Sequence, residues 1–168
     1  MNWNNLPGAA GTLDKVKDHS GSATALSATW QAPAAANSTL GREWGFSAGN
    51  LKLQKGLIRD AGSLTVSGVP YDKYAVHVYF NAGDNGGKGS VTISTATGGT
   101  DANTTYFTKV GWMSGKFVKS PATTKQSAKD SNCAVFTGNT AKDFTLNWSG
   151  KVEGSWTGVS GVQIVATP

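Results

Sequence analysis

The sequence predicts an all-β fold, either an antiparallel sandwich or a barrel, on three observations. Short stretches rich in β-branched and aromatic residues recur along the chain, and clusters of Gly, Asn and Pro separate them at near-regular intervals. No amphipathic helical pattern of useful length lies between these stretches, which excludes a parallel α/β sheet. The 168 residues also include 22 glycines and only 15% charged residues, whereas soluble domains average roughly 25% charged residues.

The first candidate strand spans residues 24–30, where Leu26, Ala28 and Trp30 alternate with small polar residues. This alternation predicts a half-buried strand with Trp30 in the core. The flanking segments have other patterns: a turn-like opening through residue 11, a segment over 13–16 that contacts the core, and an alanine-rich loop over 32–39.

Residues 51–58 are the one place where apolar spacing fits a helix. Leu53 and Leu57 are four residues apart, but Gly56 weakens a helix at this point. The sequence therefore predicts at most a short helical turn or an irregular bridge.

The central strand spans residues 74–80. Its alternation assigns one face wholly to the core, namely Tyr74, Val76, Val78 and Phe80, and leaves a mixed second face of Ala75, His77 and Tyr79. Further candidate strands cover residues 63–67, 90–94, 105–110, 116–119, 132–137, 143–149 and 161–165. Together these elements predict about eight to ten strands in a single domain over residues 1–168, since a chain of this length suits one core.

Charge and composition exclude several classes of partner. The net charge of +5 comes from scattered lysines, because Arg42 and Arg59 are the only arginines, so a nucleic-acid partner is not expected. No apolar stretch approaches the ~18 residues of a membrane span, and no signal peptide follows Met1. The single cysteine, Cys133, cannot form an intramolecular disulfide, and its apolar neighbours predict a buried strand residue.

Several landmarks carry a family resemblance that spans nearly the whole chain. They are NWNNLPGAAGTL, ATALSATW, LKLQKGLIRDAGSLTVSGVPYDKYAVHVYF, CAVF and GVSGVQIV. In this order they resemble the jelly-roll, galactose-binding-like β-sandwich modules of exported bacterial proteins, many of which are joined to polysaccharide-degrading enzymes. The resemblance implies a jelly-roll sandwich that is excised from a larger secreted protein and binds a polysaccharide or oligosaccharide.

Tryptophans are the first candidates for contacts with a sugar ring, because aromatic side chains stack on its C–H faces. Trp112 and Trp156 lie between small residues and outside any clear alternation, so each either stacks on a ligand or folds onto the sandwich edge. Trp44 shares a face with Phe46 and could do either. Trp148 continues the alternation of Phe144 and Leu146, which predicts a core position.

The glycine-rich loop over residues 81–89 carries Asp84, Asn85 and Lys88, which could bind hydroxyl groups where the backbone approaches a ligand closely. A plain hairpin loop is the alternative. The loop lacks the spaced oxygen ligands of an EF-hand, although the sequence is compatible with a structural calcium site elsewhere in the sandwich. His77 and Tyr79 form a second candidate surface on the central strand, or else are structural.

The sequence gives little support for catalysis. Glu43 and Glu153 are the only glutamates, and their spacing places no acid and nucleophile together. His19 and His77 are too few for a typical zinc site without partners at motif spacing. We therefore predict a non-catalytic, cofactor-independent module that binds a plant or microbial polysaccharide and tethers an attached enzyme. The alternatives are a structural or adhesive module without a glycan site and, less favoured, an enzyme acting on polysaccharide.

Overall fold

A computed structural model describes residues 4–37, 48–82, 86–94, 103–111 and 115–168 and confirms the predicted all-β sandwich. Two antiparallel sheets form it, and they do not close into a barrel. In order across the six-stranded sheet lie β1 (Ala10–Leu13), β2 (Ser27–Gln31), β5 (Gly62–Ser67), β10 (Phe144–Glu153), β7 (Gly87–Ser94) and β8 (Thr105–Val110). Across the five-stranded sheet lie β3 (Ala34–Asn37), β4 (Gly56–Arg59), β11 (Thr157–Ala166), β6 (Tyr74–Ala82) and β9 (Cys133–Asn139).

The core between the sheets follows the predicted alternation. The first face of β6 is fully buried, with Tyr74, Val76, Val78 and Phe80 all at 0% exposure. Phe144, Leu146 and Trp148 of β10 belong to the same buried cluster, as does Trp30 of β2. The predicted core positions of Trp30 and Trp148 are therefore confirmed.

Several local elements differ from the sequence prediction. The opening through residue 11, expected to be turn-like, contributes the first residues of β1. The described residues contain eleven strands, and the expected helical turn is a helix of eight residues, α1 (Ala48–Lys55), which leads directly into β4. The expected loop over 32–39 contains β3, which pairs with β4. Sheet pairing stabilises β3 and β4 although neither has a clear alternating pattern. The expected strand over 116–119 forms only one isolated bridge, between Lys119 and Cys133. The backbone of this segment instead binds the side chain of Asn132, which accepts from Val118 N and donates to Lys116 O.

Residues 116–132 close one side of the sandwich. This segment joins β8 of one sheet to β9 of the other and hydrogen-bonds to both strands. Phe107 N donates to Ala122 O at 2.9 Å and Ser131 N donates to Lys109 O at 2.9 Å, while Ser120 N donates to Cys133 O at 2.8 Å. Phe107 and Lys109 of β8 and Cys133 of β9 thus have hydrogen-bond partners on their outer edges within the chain. Among the described residues, no helix has the length and apolar character needed to cross a membrane.

Candidate functional site

The outward surface of the five-stranded sheet carries most of the described candidate residues. Val159, Val162 and Ile164 of β11 contact the core, so the residues that alternate with them face outward. Register then aligns the outward residues of neighbouring strands into rows: Arg59 with Gly158 and Asn81, Gly161 with Tyr79 and Cys133, and Gln163 with His77 and Val135. We call this surface the outer face.

Tyr79 lies within the outer face and is itself only 7% exposed. Its ring centroid lies 4.5 Å from that of Phe117, in the segment that closes the sandwich side. Its hydroxyl donates to Gln163 Oε1 at 2.9 Å. Burial, followed by the neighbouring Cys133, raises the pKa of Tyr79 to about 12. Tyr79 therefore acts as a neutral donor that fixes Gln163, and little of its ring is available to a ligand.

His77 is half-buried beside Gln163 of β11 and Val135 of β9. Its ring centroid lies 6.4 Å from that of Tyr79, and the two rings are stacked. Burial lowers the pKa of His77, and the positive charge of Lys119 lowers it further. The neutral imidazole is thus favoured, with one nitrogen as donor and the other as acceptor.

Helix α1 packs on the middle of the outer face. Its Leu53 side chain lies over Gly161, where an added Cβ would overlap Leu53 Cδ1. The side chain of Asn81 anchors the helix end, because its Nδ2 donates to Gln54 O at 2.7 Å. Glycine at position 161 is therefore what lets the helix approach the sheet, between the row of Arg59 and the row of His77.

Trp156 lies at the end of the outer face, immediately before β11, and is half-buried. The guanidinium carbon of Arg59 lies 5.2 Å from the indole centroid, the geometry of a cation–π contact. Arg59 Nε is 3.7 Å from Asp60 Oδ2, too long for a hydrogen bond. This Nε is buried and has no hydrogen-bond acceptor among the described residues.

The backbone around Asp60 helps to hold Arg59 beside Trp156. Asp60 adopts a left-handed conformation with φ 63°, which Asp tolerates better than most residues. Its carbonyl accepts a hydrogen bond from Gly150 N at 2.8 Å, and its N–H donates to Thr157 O at 3.4 Å. The turn after β4 is thereby joined to the turn that carries Trp156.

Lys88, expected in a loop over residues 81–89, instead lies in β7 on the other sheet. Residues 81–82 and 87–89 belong to β6 and β7, and because these strands lie in different sheets their connection is not a hairpin. The Nζ of Lys88 lies 3.0 Å from Glu153 Oε1, and Glu153 Oε2 also pairs with Lys125 at 3.1 Å. The hydrogen bond from Lys88 is the main reason that the pKa of Glu153 is lowered. Lys88 therefore joins a surface ion-pair cluster and does not meet the other described candidates.

Four predicted site residues, Trp44, Asp84, Asn85 and Trp112, lie outside the described residues and stay predictions. Conversely, the sequence did not single out Arg59 or Gln163 as site residues. Arg59 could have been noticed as one of two arginines in a lysine-rich chain, at the end of an apolar run. The signal for Gln163 was weaker: it is a polar residue between Val162 and Ile164.

The described residues bring together no group of three or more His, Cys, Asp or Glu side chains that could hold a metal ion. That the sandwich could hold a structural calcium ion stays a prediction. Comparison of the chain with protein-family models, with curated proteins and with solved structures finds no match in any of the three.

Proposed function

We propose that this chain is a non-catalytic carbohydrate-binding module whose ligand contacts the outer face at Trp156 and Arg59. One observation carries the proposal: a half-buried indole lies beside a guanidinium whose side chain is 36% exposed. Carbohydrate binding needs both an aromatic surface for C–H faces and fixed donors for hydroxyl oxygens. Trp156 and Arg59 offer these two features side by side.

The exposure of Arg59 favours a ligand over a purely structural role. Its Nε is buried with Asp60 Oδ2 at 3.7 Å, but the side chain as a whole is 36% exposed. A ligand hydroxyl can therefore approach the exposed part of this side chain. Arg59 is itself held in place, because it pairs with Asp60 and its strand pairs with β11.

The row of His77 and Gln163 supplies further polar contacts on the same face. The neutral imidazole can donate to one hydroxyl and accept from another. Gln163 is oriented by Tyr79, since its Oε1 accepts the phenolic hydrogen bond. A polysaccharide chain that crosses the outer face could therefore contact both ends, on either side of α1.

The biological role proposed is tethering. In an exported protein, a module of this kind would hold a covalently attached enzyme near its polysaccharide substrate. Tethering raises the local substrate concentration, so even a weak site is useful. The alternative, a structural or adhesive module, predicts that Trp44, Trp112 and Trp156 are all buried, and the half-buried Trp156 speaks against it.

The test is a binding screen on soluble and insoluble polysaccharides, followed by variants. Trp156→Ala should weaken binding by about 2 kcal/mol, roughly thirtyfold, because it removes the stacking surface. Tyr71→Ala is the matched control, since Tyr71 is also half-buried. Tyr71 lies just before the start of β6, whereas Trp156 lies near the other end of β6, where Thr157 pairs with Ala82. Trp30→Ala is the core control and should cost about 3–5 kcal/mol in unfolding free energy.

Arg59→Lys tests the donor separately. It keeps the positive charge and removes the planar fork of N–H groups, so weaker binding at unchanged thermal stability is expected. A neutral glycan should also bind almost equally at low and moderate salt, because it releases no counterions; a steep loss with salt would indicate an acidic glycan. The proposal is wrong if Trp156→Ala and Arg59→Lys fold and bind like the parent, or if no glycan binds.

A further inference from the structure

The outward surface of the six-stranded sheet carries rows of uncharged polar side chains. One row crosses five neighbouring strands in register: Thr12, Thr29, Thr65, Thr145 and Ser94. The adjacent row contains Gln31, Ser63, Asn147, Thr92 and Thr105. We call these two rows the hydroxyl face. All of these side chains are exposed or half-buried, and they lie on the sheet opposite to the one that carries Trp156.

Hydrogen bonds between strands order the hydroxyl face. They join Thr12 to Thr29 at 3.1 Å, Thr65 to Thr145 at 3.1 Å, Thr92 to Thr105 at 2.6 Å and Asn147 Nδ2 to Ser94 Oγ at 3.1 Å. In each threonine pair one hydroxyl donates, while the second keeps its own donor and both keep acceptor lone pairs. Threonine is also stiff at χ1, so these groups lose little entropy when they bind.

The charge distribution indicates a neutral ligand. No residue in either row is charged, whereas Lys88, Lys109 and Glu153 lie together beyond the rows at one end of the same surface. Lys88 pairs with Glu153 and Lys109 pairs with Asp130. Sheet surfaces that only face solvent commonly carry interspersed lysine and glutamate, and nucleic-acid surfaces need cations.

The side-chain chemistry of the two rows further limits the class of ligand. Cores of protein interfaces are enriched in aromatic residues and methionine and depleted in serine, which the two rows do not match. The complement of a surface that both donates and accepts hydrogen bonds without charge is a neutral polyhydroxylated polymer. We infer that the hydroxyl face binds the surface of an insoluble neutral polysaccharide, as a second site independent of Trp156.

The weakness of single hydrogen bonds explains why the proposed ligand is an insoluble solid. A hydrogen bond that replaces one to water contributes little on its own, so a short soluble oligosaccharide should bind this face too weakly to detect. Five neighbouring strands span about 19 Å, which lets an ordered solid meet many hydroxyls at once. Simultaneous weak contacts then add up to useful retention.

The test measures partition of the protein onto microcrystalline cellulose, crystalline chitin and insoluble xylan. The triple variant Thr29→Val, Thr65→Val and Thr145→Val keeps branching at Cβ and high strand propensity but removes three hydroxyls. We expect its partition coefficient on the solid that retains the parent to fall roughly tenfold, with unchanged affinity for soluble oligosaccharides. The matching triple serine variant keeps the hydroxyls and should be retained like the parent.

Two controls separate this site from the one at Trp156. Thr123→Val alters an exposed threonine of the segment 116–132 and should have no effect. Trp156→Ala should reduce binding of soluble oligosaccharides more than retention on the solid. Parent-like retention of the triple valine variant overturns the inference. Binding of soluble sugars with no retention of the parent on any of the three solids also overturns it, and leaves the proposed function standing.

Discussion

The docking of α1 on Gly161 predicts a measurable coupling between two residues. Gly161→Ala places a Cβ against Leu53 Cδ1, and overpacking of this kind costs about 1–3 kcal/mol in unfolding free energy. Gly161 does not have a positive φ, so the cost is steric. Leu53→Ala removes a side chain that is 6% exposed and should cost about 2–5 kcal/mol. In the double variant the new Cβ occupies space that Leu53 has vacated.

We therefore expect the double variant to be more stable than additivity predicts, by about 1–2 kcal/mol. Denaturant unfolding of the parent, both single variants and the double variant measures this coupling. Gly49→Ala is the control within the same helix, because a Cβ there meets nothing within 4 Å, so the change should be neutral or stabilising by up to about 1 kcal/mol. Additive single effects would refute the proposed contact between α1 and β11.

Three further outcomes are expected. Tyr74→Phe should lower the unfolding free energy by about 1 kcal/mol in denaturant titration, because the buried hydroxyl donates to Ala141 O at 2.7 Å; an unchanged midpoint would argue against that bond. Burial lowers the pKa of His77 below 6.5, so the unfolded chain takes up the proton first and stability falls as the pH drops from 6.5 through the folded pKa. His77→Gln should flatten the melting temperature over that range, and an unchanged slope would contradict the assignment. Burial raises the pKa of Cys133 to about 12, although Lys119 opposes the rise, so iodoacetamide at about pH 8 should label it only after unfolding; fast labelling of the native protein would disprove its burial.

Strands with strong alternation could be predicted from the sequence. Residues 105–110 match β8 at both ends, and the buried face of β6 is the one that alternation assigned. In contrast, β3 is mostly alanine and carries no pattern. It exists because β4 supplies its hydrogen-bond partners, which is a tertiary effect that propensity does not contain.

The candidate site was only partly predictable, and for a physical reason. Alternation showed that His77 and Tyr79 share a face, but it could not show that Phe117 would cover Tyr79 from a distant segment. Trp156 was singled out because it lies outside any alternation. Only the pairing of β11 with β4 places it beside Arg59, and this pairing joins residues that are about a hundred positions apart in the sequence.

The segment over residues 116–132 also bears on how copies of this protein behave when they are crowded. Of the four strands at the sheet margins, β8 and the first residue of β9 already have hydrogen-bond partners in that segment, and β1 and β3 are only four residues long. Long bare margins recruit strands from other molecules and start aggregation, whereas short or covered margins resist it. Many copies at high local concentration could therefore stay separate folded units, without merging their sheets.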